Sequence, residues 1–319
     1  MPGKAMYAGS GVTTKTSKTR KVRGAIGKHR AFYAMLFIPF IYFLIFKYGP
    51  LVNAQIAFRD FMALDGVWKS PWVGFKNFIT FFSSIYFGEL LRNTILLSLG
   101  KLVVGLPMAV MLALAINESC LRRFKRIVQT VTYLPHFLSW VVMYGVLLLL
   151  LSPDEGLINE VIKAFGGKEI AFLQDPKWYP IIVVLSDVWK EMGWSAIIYL
   201  AAITGIDPGL YEAAEVEGAT RLQRIRYITL PGISEVIVTI ALLRLGTILD
   251  AGFHQIFMTY SVPVYSVGDI IDTWVYRQGV LDFQFSLATA VGLFKGALGL
   301  CLVWLFNKLS RRYLEASLF

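Results

Sequence analysis

Charge is scarce in this 319-residue chain. Asp, Glu, Lys and Arg make up 16% of it, against about 25% in an ordinary soluble domain. Hydrophobic residues reach 56%, and mean hydropathy is +0.60. So few charges cannot cover a water-soluble fold of this size, which points to a membrane protein. Two cysteines, Cys120 and Cys301, and three scattered histidines, His29, His136 and His254, exclude a disulfide framework and any recognisable metal-ligand spacing. The cysteines are expected as buried, inert thiols. No G-x-x-x-x-G-K-[ST] loop occurs, and Gly166-Gly167-Lys168 lacks the first glycine and the hydroxyl residue, so nucleotide has no phosphate cradle here. Residues 1–30 contain no acid but eight bases, from Lys4 to Arg30. No small-residue cleavage site follows the next apolar run, which argues against a secretory leader.

The apolar residues are gathered into long runs. A helix crossing a bilayer needs about 20 mainly apolar residues, and six runs qualify: 31–46 (extending toward 58), 93–116, 127–151, 179–203, 232–249 and 287–309. The expected fold class is therefore an all-α membrane protein of about six transmembrane helices. Residues 1–30 form a basic tail, and residues 31–319 form one membrane domain. The net charge of +10 would suit nucleic acid if it formed one patch, but the bases sit between spans. Nucleic acid is not an expected partner; membrane lipid is.

Those bases also orient the chain. Arg122, Arg123, Lys125 and Arg126 follow the second run, Arg221, Arg224 and Arg226 follow the fourth, and Lys308, Arg311 and Arg312 follow the sixth. With the basic tail, all fall on one side of a six-span arrangement, and by the positive-inside rule that side is cytoplasmic. Both termini are then cytoplasmic. The opposite segments carry Asp154, Glu155, Glu160, Glu169, Asp175, Asp269, Asp272 and Asp282. Two of the outer segments have structure of their own. Aromatics between 53 and 91 suggest a short interfacial helix. Leu157, Val161, Ile162 and Phe165 have helical spacing before a Gly166-Gly167 stop.

The cytoplasmic segment 204–231 is unlike a plain connector. Asp207-Pro208 offers a cap and a first-turn proline. Glu212 to Glu217 are good helix formers, Ala213 and Ala214 let another backbone approach, and Gly218 permits a turn that other residues resist. A second helical stretch then runs toward Leu230-Pro231. Glu-Ala-Ala, three residues, Gly, nine residues and Ile-x-Leu-Pro resembles the EAA loop of permeases in binding-protein-dependent ABC importers. Tyr48-Gly49-Pro50, Phe58-Arg59-Asp60, Gly74-Phe75-Lys76-Asn77-Phe78, Asn93-Thr94 and Pro135-His136-Phe137-Leu138-Ser139-Trp140 resemble landmarks of the maltose-permease-like sugar branch. The fit is best with permeases for complex oligosaccharides such as oligo-uronides and polysaccharide fragments. Glu217 departs from the branch, where Asp is common, but keeps the charge.

The resemblance implies an ABC type I importer permease in a bacterial cytoplasmic (inner) membrane. It would work with a second homologous permease chain, two copies of an ABC ATPase and an extracellular or periplasmic solute-binding protein. The chain would bind no cofactor, since ATP and Mg belong to the partner ATPase. Glu212, Ala213, Ala214, Glu217, Gly218, Leu230 and Pro231 would make the coupling to that ATPase.

Charges inside spans are costly and mark cavities or internal pairs. Asp187, Trp189, Lys190, Glu191 and Trp194 in the fourth run, with Lys101, Arg244 and Lys295 in the second, fifth and sixth, are either a polar path for a hydrated sugar or ion pairs between helices. Asp187, Lys190 and Glu191 are three and four residues apart and share a face. In the path reading Lys190 and Lys295 offer positive charge to a passing carboxylate. A polytopic glycosyl- or acyltransferase would need an acid/base pair, for which Asp250, Asp269, Asp272 and Asp282 lack a recognisable spacing. A secondary transporter would often show internal repeats, and none is visible.

Overall fold

The computed structural model describes residues 30–313. The basic tail and the C-terminal charges Arg311 and Arg312 lie outside the residues whose side chains are described. The chain divides into two units, one ending at Gln55 and one beginning at Ile56. Helix is the dominant structure, and among the described residues the sole strand-like feature is an isolated bridge between Arg59 and Trp72.

The first unit is built on α1 (Arg30–Phe43), which carries Pro39 internally. The helical path continues through a π turn at Leu44–Tyr48 and a 3₁₀ stretch at Gly49–Phe58. Ala31–Phe58 is thus a 28-residue apolar run, long enough to cross a membrane.

In the second unit α2 (Lys76–Phe82) is the short aromatic helix expected before the second span. Here α3 (Phe87–Glu118) runs for 32 residues, well beyond the expected 93–116. The third span is not one helix. It consists of α4 (Arg122–Tyr133) and α5 (Trp140–Leu151), bent by 112°. Pro135 lies in a 3₁₀ turn between them, and Ser139 starts α5 by accepting a hydrogen bond from Val142 N–H. The next helix is the short α6 (Leu157–Ala164). It stops at Gly166, whose φ of +78° is accessible to glycine at no steric cost.

The long helix α7 (Tyr179–Thr204) has 26 residues and contains Asp187, Lys190 and Glu191. It lies against α3, where glycines and alanines allow backbones to approach. A Cβ at Gly100 would come within 2.9 Å of Val184. Ala109, Ala113, Ala196, Tyr199 and Ile203 form part of one buried contact between them. On α7's other side, a Cβ at Gly193 would meet the Thr132 carbonyl at 2.0 Å, so only glycine lets α4 seat there. The segment 204–231 holds α8 (Pro208–Val216) and α9 (Arg221–Arg224), and α10 (Ser234–Gly246) follows it. The fifth span again is bent, by 56°, between Arg221–Gly232 and Ser234–Gly246. The last long helix is α13 (Phe285–Tyr313). Counting each bent pair as one span and including α7 gives a structural counterpart for each of the six expected spans.

The segment between α10 and α13, which holds Asp269, Asp272 and Asp282, has more structure than its sequence disclosed. Asp282 is exposed, but α11 (Phe253–Thr259) and α12 (Ile271–Tyr276) pack into the buried core. Ile256 and Ile270 join Leu97, Tyr179 and Val183 in one buried cluster, and Ile271 and Trp274 join Phe81 and Leu90 in another. Asp269 is buried and paired with Arg277. The pattern was hidden because these helices are too short to show a span-length run. The cysteines also differ from expectation: both are free and exposed.

Several motif residues prove to be fasteners. Asn77 donates to the Ala57 and Arg59 carbonyls. Asn93 donates to the Asp269 carbonyl at 3.1 Å, and Thr94 Oγ1 accepts from Ile271 N–H at 3.1 Å. A buried amide or hydroxyl without such a partner is costly, so Asn93 and Thr94 fix the start of α12.

Candidate functional site

The coupling segment is organised by local rules. Asp207 accepts from Gly209 N–H at 2.9 Å, Pro208 opens α8, and the nine-residue helix ends in a reversed turn. Gly218 N–H reaches the Glu215 carbonyl at 3.0 Å and Ala219 N–H the Ala214 carbonyl at 2.9 Å, the paired pattern of a left-handed helix stop. Gly218 has φ +79°, and open space surrounds the position a Cβ would take. The need for glycine is therefore conformational. Thr220 and Gln223 then form a reciprocal capping box that restarts the helix. A π turn at Ile225–Thr229 leads to Leu230–Gly232.

Two contacts fold α8 back on this second piece: Tyr211 Oη with Thr229 Oγ1 at 2.9 Å, and Arg224 with Glu215 at 3.2 Å. Leu230 and Ile206 pack on the α3–α7 core. Outward, Glu212, Ala213 and Glu217 are exposed, with Leu210, Val216, Leu222 and Tyr227 as exposed apolar neighbours. Among the described residues neither Glu212 nor Glu217 has an ion-pair partner. The geometry is a stiff knob, anchored at its base on the spans and bare at its tip.

The polar residues of the spans fall into separate groups. Asp187 and Arg244 line a cleft of about 340 Å³ between α3, α7 and the break after α10, together with Lys101 and Asp250. The break is a 3₁₀ turn at Ile248–Asp250 followed by Ala251 and Gly252, both left-handed at φ 43° and 81°. Non-helical backbone at membrane depth is tolerated where protein or a watery cavity satisfies it. Here Lys101 donates to the Ala251 carbonyl at 2.8 Å and to Gln255 Oε1, and lies 3.5 Å from Asp187. Gln255 in turn donates to the Val183 carbonyl and Ser186. Lys295 bridges Asp250 and Asp272, at 2.7 Å from each. Arg244 donates to Ser195 Oγ at 2.8 Å.

Lys190 and Glu191 belong elsewhere. Lys190 is buried and donates to the carbonyls of Pro135 and His136, at 3.3 and 2.5 Å. Glu191 lies 3.0 Å from His136 Nδ1 and 3.6 Å from Lys190. Trp194 stacks on His136 at 4.6 Å between ring centres. This group closes the bend between α4 and α5, where carbonyls freed by the 3₁₀ turn need donors. Trp189 is exposed and does not join the cleft. The expected site residues are thus split: Asp187 and Arg244 face the cleft, Lys295 braces it through Asp250, and Lys190, Glu191 and Trp194 hold a bend. Gln255 and the Ala251–Gly252 turn were missed by sequence reasoning. Gly246 and Gly252 flanking Asp250 were the available signal.

A model of the family described as binding-protein-dependent transport system inner membrane component matches residues 105–315. The chain belongs to this family. It is 42% identical over 308 residues to the polygalacturonan/rhamnogalacturonan transport system permease protein YteP of Bacillus subtilis (strain 168), covering 97% of this chain and 96% of that protein. Protein LplB of the same organism is 39% identical over 295 residues, covering 92% and 93% respectively. Among solved structures, a bacterial ABC transporter involved in the import of the acidic polysaccharide alginate aligns with a TM-score of 0.86 and 40% identity. That alignment covers 92% of this chain and 99% of the other. The chain therefore has the architecture of an ABC type I importer permease and is a multi-pass transport component, not an enzyme.

Proposed function

We propose that this chain forms half of the translocation path of an ATP-driven importer for an oligosaccharide or polysaccharide fragment. The other half comes from a second homologous permease, and a solute-binding protein delivers the substrate. Two copies of an ABC ATPase bind ATP and Mg, so the chain itself needs no cofactor. Its membrane is the bacterial inner membrane, with both termini cytoplasmic.

The observation that carries the reading is the knob formed by α8. Ala213, Ala214 and Gly218 make it slim, Glu212 and Glu217 make its tip polar, and Leu230 and Pro231 connect it to the span core. A motor that closes around such a knob can move α7 and α10 together, since α8 leaves one and leads to the other. The names of the relatives support the substrate class. A solved alginate ABC transporter in complex with an alginate pentasaccharide-bound periplasmic protein, 39% identical with a TM-score of 0.85, supports delivery by a binding protein. The cleft bearing Asp187 and Arg244 is the substrate-path segment.

Reconstitution tests this directly. Proteoliposomes holding the chain, its partner permease and the ATPase should take up oligogalacturonides or alginate oligosaccharides when given binding protein and ATP. Uptake driven by a proton or sodium gradient without the ATPase would make the chain a secondary transporter instead.

A further inference from the structure

We infer that Arg244 is the residue of the cleft that reads a carboxylate on the sugar, a role that rests on the oligosaccharide-importer reading above. The charges around the cleft differ in whether they are answered. Lys101 and Asp187 answer each other at 3.5 Å, and Lys295 answers Asp250 at 2.7 Å as well as Asp272. Arg244 lies in the same lining, yet the one hydrogen-bond partner of its guanidinium among the described residues is the neutral Ser195 hydroxyl. No carboxylate lies within ion-pair distance of it among those residues. Sequence alone favoured Lys190 and Lys295 for this role. The structure commits the first to backbone carbonyls and the second to two aspartates, which leaves neither free.

An unanswered guanidinium among spans is costly unless water or a counter-ion reaches it. Two features lower that cost without using up the charge. Arg244 is in the last turn of α10, where the partial negative charge of the helix end favours a cation. It also opens onto a cleft whose volume falls within the roughly 300–1,000 Å³ typical of small-molecule sites. The planar guanidinium has five N–H donors in a fork that matches a carboxylate in two parallel bonds. A lysine offers only a point charge and no such fit. Ser195, itself buried, takes one donor of the fork at Nη2 and leaves the others without a partner among the described residues. A uronate carboxylate is the ligand chemistry this arrangement suits, and its arrival would supply the missing counter-ion only while substrate passes.

The test uses the complete transporter in proteoliposomes with its binding protein. Trigalacturonide and trimannuronide are the acidic probes, and their carboxyl-reduced forms are the neutral probes of equal length. Arg244→Met should assemble in wild-type amounts and lose acidic uptake by at least about tenfold, the equivalent of about 1.4 kcal/mol, with neutral uptake changed much less. Arg244→Lys should fall between, and Arg244→Gln, which keeps a donor for Ser195, should resemble Met. Acidic and neutral uptake falling equally, or neither falling, overturns the inference. So does failure of both Met and Gln variants to assemble, which makes Arg244 a structural residue. A wild-type transporter that imports the neutral probes alone also overturns it while leaving the importer reading intact. ATP-driven uptake of no oligosaccharide at all removes the importer reading itself.

Discussion

The segment 204–231 and the broken-helix cleft are two places where this apolar chain concentrates polar groups, and they are held in opposite ways. From Asp207 to Pro231 most fasteners lie within the segment: an N-cap, a glycine stop, a capping box and the Tyr211–Thr229 and Arg224–Glu215 contacts. Around Ala251 they come mainly from distant helices, Lys101 on α3, Asp187 on α7 and Lys295 on α13, with the nearby Gln255 on α11 joining Lys101. A segment held by its own neighbours can stay rigid while it moves as a body. A cleft held by ion pairs across helices changes when those helices shift. This division of labour suits the driven gate proposed above, which needs stiffness where force would enter and rearrangeable contacts where the path would open.

If that contrast is right, damage should spread from the cleft and stay confined in the knob. The largest effect is expected for Lys101→Met. It leaves Asp187 and the left-handed Ala251 turn without their cation, and breaking a buried pair costs about 3–5 kcal/mol. The low end applies, because Asp187 is partly exposed. The yield of assembled complex and its melting temperature should both drop. Wild-type assembly would mean the break is not held by Lys101.

Gly218→Val should be next. Forcing a β-branched residue to φ +79° costs about 1–2 kcal/mol or more, a factor of roughly 5–30 in an equilibrium. The chain should insert and pair with its partner permease normally, but ATP-driven uptake should fall by about that factor. Normal uptake would remove the turn from the mechanism.

Glu212→Lys should be milder. An exposed charge contact is worth about 0.2–1 kcal/mol, so ATPase association should weaken by a few fold at most. The deficit should shrink as salt rises, because exposed charges are screened. A salt-independent loss would point to altered helix structure instead.

The same contrast explains what the sequence could disclose. The helix start at Asp207-Pro208 and the turn at Gly218 were legible, since those residues act on neighbours a few positions away; the capping box at Thr220 was not read. The six runs were legible because a bilayer imposes a length. The bend at Pro135 was written in the sequence but overlooked, as the flanking apolar residues allowed a single span to be drawn through it. The cleft was beyond reach for a different reason. Which acid answers which base depends on how α3, α7, α10 and α13 pack, and no spacing rule encodes that. Lys190 and Lys295 looked better suited than Arg244 to meet a carboxylate until their partners were visible.

The central claim is that α8 is a cytoplasmic knob enclosed by a separate ATPase. Val216, 89% exposed at the end of that helix, gives the most direct test. With Cys120 and Cys301 replaced by serine, a cysteine at Val216 can be challenged with an impermeant thiol reagent, beside a Lys163→Cys control on α6. Val216→Cys should label in inside-out vesicles stripped of ATPase and be protected when ATPase is added back, and it should stay unlabelled in right-side-out vesicles, where Lys163→Cys reacts. Labelling of Val216→Cys from the outside, or labelling that bound ATPase leaves unchanged, contradicts the coupling role.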